Sequence, residues 1–209
     1  MATLALALLV LYASLAFGAG ALVQFRRTGS TGFRGISGRP GSPGWVGGVL
    51  FAAAVGLILA APVLVLTGLL EPFAALDGTA AHALGIALYS FGLAGTLVAQ
   101  GTMGSSWRVG VDASERTDLV TGGPFALVRN PIFAAMIPAV LGLALLVPNI
   151  AALAALLSLV AAVELQVRFV EKPYLSRTHA EGYAGYASRV GRFVPGVGRL
   201  KVTRVRKDA

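Results

Sequence analysis

The chain has no cysteine, only two histidines in 209 residues, and charged side chains at just 12% of its length. Without cysteine there is no disulfide framework, no thiolate nucleophile and no cysteine-based metal site. The histidines, His82 and His179, stand far apart in sequence and do not form a metal-ligand pattern; His82 is expected to be structural and His179 to lie on the surface. Soluble domains carry about 25% charged residues. A charge content half that size, beside 56% hydrophobic residues, excludes an ordinary soluble globule and indicates an integral membrane protein.

Long apolar runs supply the spans. A membrane helix needs about 20 apolar residues. Leu4 to Phe25, Val46 to Leu70 and His82 to Thr102 meet that length. The first run exceeds the 7–15 residues of a signal-peptide core and is read as a retained span. Pro62 is an expected kink in the second. Gly85, Gly92, Gly95 and Gly101 give the third a small-residue character that suits close helix packing. The last apolar region is divided by Pro148-Asn149 into arms Ile132–Val147 and Ile150–Val167, a helical hairpin. Its first arm, at about 1.5 Å per residue, reaches roughly 24 Å against a hydrocarbon core of about 30 Å, so the hairpin is tilted, thins the bilayer or stops short of crossing.

Charge is absent from one side. There is no Lys or Arg between the second and third spans, only Glu71 and Asp77, and none at the hairpin tip. All 17 basic residues fall on the other side: Arg26 to Arg39, Arg108 to Arg129, and Arg168 to Lys207. The positive-inside rule makes that side cytoplasmic, with the N-terminus outside and the C-terminus inside, as fits a bacterial plasma membrane. The net charge of +8 does not point to nucleic acid, because the basic residues flank apolar spans; anionic lipid headgroups are the simpler partner. Thr28–Gly44 reads as a flexible Gly/Ser/Pro-rich loop, and Arg199–Lys207 as a headgroup anchor or an unstructured tail. Residues 1–102 are expected to form three N-terminal helices and this loop, and 103–209 a functional core. Nothing in the sequence sets an oligomeric state.

One stretch stands out where a polar loop meets hydrocarbon: Gly122-Gly123-Pro124-Phe125-Ala126-Leu127-Val128-Arg129-Asn130-Pro131-Ile132-Phe133. An ionisable group at that position is costly and marks a functional site by default. Asn130-Pro131 also reads locally as a helix N-cap with Pro at the first helical position. The hairpin returns the chain to the same face at Glu164, Arg168, Glu171 and Lys172, followed by Tyr183, Tyr186, Arg189, Arg192 and Phe193. Antiparallel arms thus bring two charged ends together into a pocket at the membrane boundary, wet on one side and dry on the other.

These residues resemble the superfamily of isoprenylcysteine carboxyl methyltransferases and phospholipid methyltransferases. The resemblance runs through Leu119-Val120, Gly123-Pro124-Phe125, Val128-Arg129-Asn130-Pro131 and Phe133. It continues at Glu171 to Leu175, at Tyr183 and Tyr186, and at Val190, Arg192, Phe193 and Pro195. It covers about Gln100 to Pro195; the first two spans carry no family signal. It implies an all-α membrane protein of about five transmembrane helices, the last two a hairpin, with a cytoplasmic C-terminal segment closing a cofactor pocket. It implies methyl transfer from S-adenosylmethionine. Gly123, Pro124, Arg129, Asn130, Pro131, Phe133 and Glu171 are its cofactor-side candidates, with Arg168 and Tyr186 next. Gln100, Met103, Trp107 and Arg108 are placed at the substrate entrance. Asn130 stands where the family often has His, and Lys172 where it has a second Glu.

The chemistry agrees with those residue types. S-adenosylmethionine carries a sulfonium cation, a carboxylate and an ammonium. Arg129 suits the carboxylate, Glu171 the ammonium, and Phe125 or Phe133 a ring or the sulfonium. With no cysteine and no evident base, catalysis would rest on proximity and desolvation, acting on a lipophilic substrate that enters from the bilayer. Two alternatives stay open: a non-catalytic lipid- or partner-binding protein on the same scaffold, and an NADPH-dependent enzyme like the sterol reductases. Bland readings also stand for Arg129 (a lipid phosphate), for Trp107, Tyr183 and Tyr186 (interfacial aromatics), and for Glu164 (snorkelling, or paired with an arginine).

Overall fold

A computed structural model describes residues 1–31, 35–36, 38–104 and 118–200. Its regular elements are all helical, and no strand occurs among the described residues. Helix α1 (Ala2–Tyr12) passes through a π-helical stretch (Ala13–Ala19) into α2 (Gly20–Thr28), so the first apolar run forms one long rod. Helix α3 spans Pro43–Leu66 and continues through Pro62; Ser42 caps it, accepting from the Trp45 amide at 3.3 Å. Apolar periodicity alone puts this start at Val46, because it does not register the cap. Helix α4 spans Thr79–Met103, α5 Pro131–Leu146 and α6 Ile150–Leu165. A second π-helical stretch (Gln166–Glu171) joins α6 to α7 (Lys172–Arg189).

Four helices are long and apolar enough to cross a membrane: Ala2–Arg26, Pro43–Leu66, Thr79–Met103 and the α6–α7 rod, Ile150–Arg189. Helix α5, with 16 residues, is shorter. The expected hairpin is present as α5 and α6. Its turn is held by Asn149, buried to 1% exposure, whose Oδ1 accepts from the Ala152 amide at 3.0 Å while its Nδ2 donates to the Ala61 carbonyl at 3.1 Å. The hairpin tip is thereby fastened to α3.

The bundle packs in two tight pairs, α4 on α5 and α3 on α6. The first pair is a glycine contact. A Cβ on Gly92 would lie 2.5 Å from the Ala135 carbonyl oxygen, and one on Gly142 would overlap Gly85 and Tyr89 backbone atoms. Small residues let the backbones approach, which is where van der Waals packing between membrane helices comes from. Gly85, Gly92 and Gly95 serve this contact, whereas Gly101 has open space around its missing side chain.

Three polar ties fasten the first rod to α4. Tyr89 Oη donates to the Leu8 carbonyl at 2.7 Å. Tyr12 Oη and Thr96 Oγ1 lie 2.8 Å apart. Gln100 Nε2 donates to the Ala16 carbonyl at 2.9 Å. Leu8, Tyr12 and Ala16 are four residues apart and so share one helical stripe.

Beyond the bundle, His82 Nε2 lies 2.9 Å from Asp77 Oδ1 at the start of α4, a local structural pair as expected. His179 differs from expectation: its Nε2 is buried and has no hydrogen-bond partner among the described residues. The tail beyond residue 200 lies outside the described residues.

The glycine contact predicts an asymmetry along α4 and α5. Gly142→Leu should lower the thermal midpoint of the detergent-solubilised protein by an amount corresponding to about 1–3 kcal/mol or more. Gly101→Ala should leave it unchanged or raise it slightly. Circular dichroism melts compare the two.

Candidate functional site

Local chain chemistry shapes the motif. Gly123 has φ 55°, a left-handed value that favours glycine, and opens a 3-10 turn (Gly123–Ala126) with Pro124 in its first positions. A Cβ on Gly123 would also sit 3.1 Å from the Thr102 methyl. The turn buries Phe125 and leads to Val128 and Arg129, both buried. Pro131 then starts α5.

Arg129 is tied to the C-terminal segment through backbone and side chain alike. Its amide donates to the Gly191 carbonyl at 2.8 Å, and the Asn130 amide donates to the Arg192 carbonyl at 3.1 Å, making a short parallel bridge. Its guanidinium donates from Nη1 to Tyr183 Oη at 3.3 Å and from Nη2 to the Gly198 carbonyl. Its Nε is buried with no acceptor among the described residues. A buried guanidinium N–H without a partner is costly, so this atom is unfinished chemistry. At 8% exposure Arg129 is too enclosed for the lipid-phosphate reading.

Asn130 does not make the side-chain cap that the sequence suggests. Its Nδ2 donates instead to the Arg192 carbonyl at 3.3 Å. The asparagine thus holds the C-terminal segment, a task that needs a donor and no base.

Helix α7 wraps around this centre. At 3.6 residues per turn, Tyr174 and Tyr183, nine residues apart, would face opposite sides of a straight helix. Ala180 breaks the helix (φ 37°, ψ −112°), and both tyrosines come to line one cavity. Tyr183 and Tyr186 are 4% and 5% exposed, with rings 6.5 Å apart, and are not interfacial-belt aromatics. Tyr186 Oη donates to the Phe125 carbonyl at 2.6 Å. This half of α7 carries Glu181 and Arg189 and lies beyond the apolar part of the rod. Burial pushes the Tyr186 hydroxyl up to about 12, with Arg129 lowering it and Tyr183 raising it to smaller degrees.

The cavity has a volume of about 410 Å³. Of the residues expected at a site, its wall contains Gln100 and Met103 from α4; Phe125, Arg129, Asn130, Pro131 and Phe133 from the motif; and Glu171 and Tyr186 from the α7 side. Gly123 and Pro124 shape the turn without reaching the wall. Arg168 is off the wall too: it is exposed and pairs with Glu164, one turn earlier, which also meets Arg192 Nη1 at 3.4 Å. Glu164 is therefore the paired residue of its two readings. Trp107 and Arg108 lie outside the described residues.

The wall also contains residues that sequence reasoning did not select: Phe17 from the first π-helical stretch, Ile36 from the loop, Phe51 from α3, and Lys172, Tyr174 and Tyr183 around α7. For Tyr183 the cue was present, since it lies in the same C-terminal motif as Tyr186. Phe17 and Phe51 are apolar residues in apolar helices, and nothing local distinguishes them from lipid-facing neighbours.

An all-helical membrane bundle with a polar-mouthed cavity at one end, walled by an Arg-Asn-Pro turn, defines the class. Residues 80–182, from α4 into α7, match the phospholipid methyltransferase family. The match, just under half of the chain, is to the superfamily of integral membrane methyltransferases that includes the isoprenylcysteine carboxyl and phospholipid enzymes. No curated protein matches it.

The raised Tyr186 value fixes a sign. A hydroxyl whose folded pKa exceeds its unfolded value of 10.0 contributes stability that is complete below pH 10 and is lost as pH rises toward about 12. Tyr186→Phe should flatten the thermal midpoint over that window relative to the wild type. At pH 7 it should cost about 1–3 kcal/mol, because the Phe125 carbonyl is left without its donor. Melts recorded across pH 7–12 on both proteins test this.

Proposed function

We propose that the protein transfers a methyl group from S-adenosylmethionine to a lipophilic acceptor at the cytoplasmic face of the membrane. The observation that carries the reading is that one cavity wall holds both a guanidinium, Arg129, and a carboxylate, Glu171. A carboxylate is the partner that a guanidinium takes. Glu171, on the same wall, supplies the opposite charge for an ammonium. A molecule presenting both ends of an amino acid satisfies the pair, and S-adenosylmethionine does so. When bound, it supplies an electrophilic methyl group on a sulfonium.

The chain's own contribution is placement and exclusion of water. Arg129 and Glu171 fix the amino-acid end. Phe125 and Phe133 offer aromatic faces to the cationic and ring portions. The apolar wall formed by Phe17, Phe51 and Met136 accommodates the acceptor's hydrocarbon body. In-line displacement between held partners draws on effective concentration, worth up to about 7–11 kcal/mol in favourable cases, and needs no protein nucleophile. The basic face of the bundle is assigned to the cytoplasm by the positive-inside rule, with the N-terminus outside; a bacterial plasma membrane rich in anionic lipid suits its charge.

Calorimetry on the detergent-solubilised protein tests the reading, with S-adenosylmethionine, its demethylated product and NADPH as titrants. The methyl donor and its product should bind in the micromolar range and NADPH should not. Glu171→Gln and Arg129→Lys should each weaken donor binding at least tenfold; the lysine keeps the charge and loses the fork. Full affinity in both variants would sink the site assignment. Failure of either form to bind the wild type would leave a non-catalytic scaffold, and binding of NADPH alone would transfer the reading to a reductase.

A further inference from the structure

Gln100 sits one turn inside the end of α4, on the cavity wall, near Phe17, Phe51 and Met103. Its amide orientation is determined by chemistry. Nε2 donates to the Ala16 carbonyl at 2.9 Å. A peptide carbonyl only accepts, so the nitrogen must face the π-helical stretch, and Oε1 is the group left for the cavity. No group among the described residues donates to that oxygen, and it is not among the atoms sealed from solvent. Its position is held from both helices, because the Tyr89–Leu8 and Tyr12–Thr96 bonds fasten the same two stripes. The Ala16 carbonyl belongs to the π-helical stretch that also carries Phe17 to the wall. Such stretches shift the bonding register by one residue and recur at functional sites.

We propose that Gln100 Oε1 accepts a hydrogen bond from the methyl acceptor, which is therefore an apolar molecule bearing a neutral O–H or N–H rather than a carboxylate. In the transfer, the heteroatom–CH3 bond forms as the sulfonium S–CH3 bond breaks, S-adenosylhomocysteine leaves, and the acceptor's proton passes to bulk water, since an amide oxygen does not take it up. The inference rests on the methyl-transfer reading and narrows its substrate. An amide oxygen does not ionise and offers only lone pairs. A carboxylate would turn its own lone pairs toward it and lose hydration with no return. An ammonium donates too, but its nitrogen has no lone pair and cannot take up a methyl group. A neutral donor gains a bond and leaves its hydrocarbon on the apolar wall. The wall's cations, Arg129 and Lys172, lie on the α5 and α7 side, where the cofactor's carboxylate is assigned.

Three matched probes test this: 1-dodecanol, dodecyl methyl ether and dodecanoate. Each is titrated calorimetrically into the full-length protein in detergent, with and without S-adenosylhomocysteine. The alcohol should bind about tenfold more tightly than the ether, which lacks only the donor, and more tightly than dodecanoate. Gln100→Leu should bring the alcohol-to-ether ratio to about one. A purely structural role would weaken all three probes together and leave the ratio in place, which overturns the inference. So does dodecanoate binding as tightly as the alcohol, or failure of the alcohol to bind. If the leucine variant does not fold, the ranking of the three probes on the wild type decides alone. Loss of S-adenosylhomocysteine binding in the wild type would count against the methyltransferase reading and not against the probe ranking, which is read separately.

Discussion

Arg129 joins three parts of the chain that are distant in sequence. Its backbone pairs with Gly191, its guanidinium reaches Tyr183 and Gly198, and the next residue begins α5. The start of the hairpin, the end of α7 and the C-terminal segment are therefore referenced to one buried cation. A charge at the boundary of hydrocarbon is tolerated only when its hydrogen bonds are met, and here the protein meets some of them and leaves Nε open. The same residue that assembles the cavity also lines its wall.

The remainder of the bundle keeps that arrangement rigid. Glycine contacts press α4 against α5, and Asn149 fastens the hairpin tip to α3. Three hydrogen bonds hold the first rod to α4 along a single stripe. In a membrane the hydrophobic effect does not drive helices together, so close packing and buried hydrogen bonds must. The N-terminal rod and α3, outside the matched family region, nonetheless contribute Phe17 and Phe51 to the wall. The cavity wall is thus built partly by the matched region and partly by helices that it does not include.

The spans and the hairpin were legible because a membrane helix must be apolar along its length, and loops between spans must be polar. The predicted arms end within two residues of α5 and α6. The Arg-Asn-Pro turn was legible because charge at that depth has few innocent explanations. Arg168, placed on the cofactor side by the resemblance, lies off the wall and pairs with Glu164. Asn130 takes the N-cap position before Pro131 as expected, but its side chain donates to the Arg192 carbonyl instead of capping the helix. Both cases share a cause. Sequence places a residue on an element but does not say which neighbour its polar atoms will meet.

Composition, run length and charge asymmetry by themselves determined that this chain is a helical membrane protein with a hairpin returning two polar ends to one face. Those properties follow from the solvent, since hydrocarbon tolerates neither charge nor unpaired backbone. Only the tertiary structure decided which polar groups face one another. The break at Ala180 turns Tyr174 and Tyr183 toward one cavity. The π-helical stretch sets Ala16 where it can accept from Gln100. The C-terminal segment folds back over Arg129. Each depends on a backbone irregularity or a long-range contact, whose energy comes from partners far along the chain.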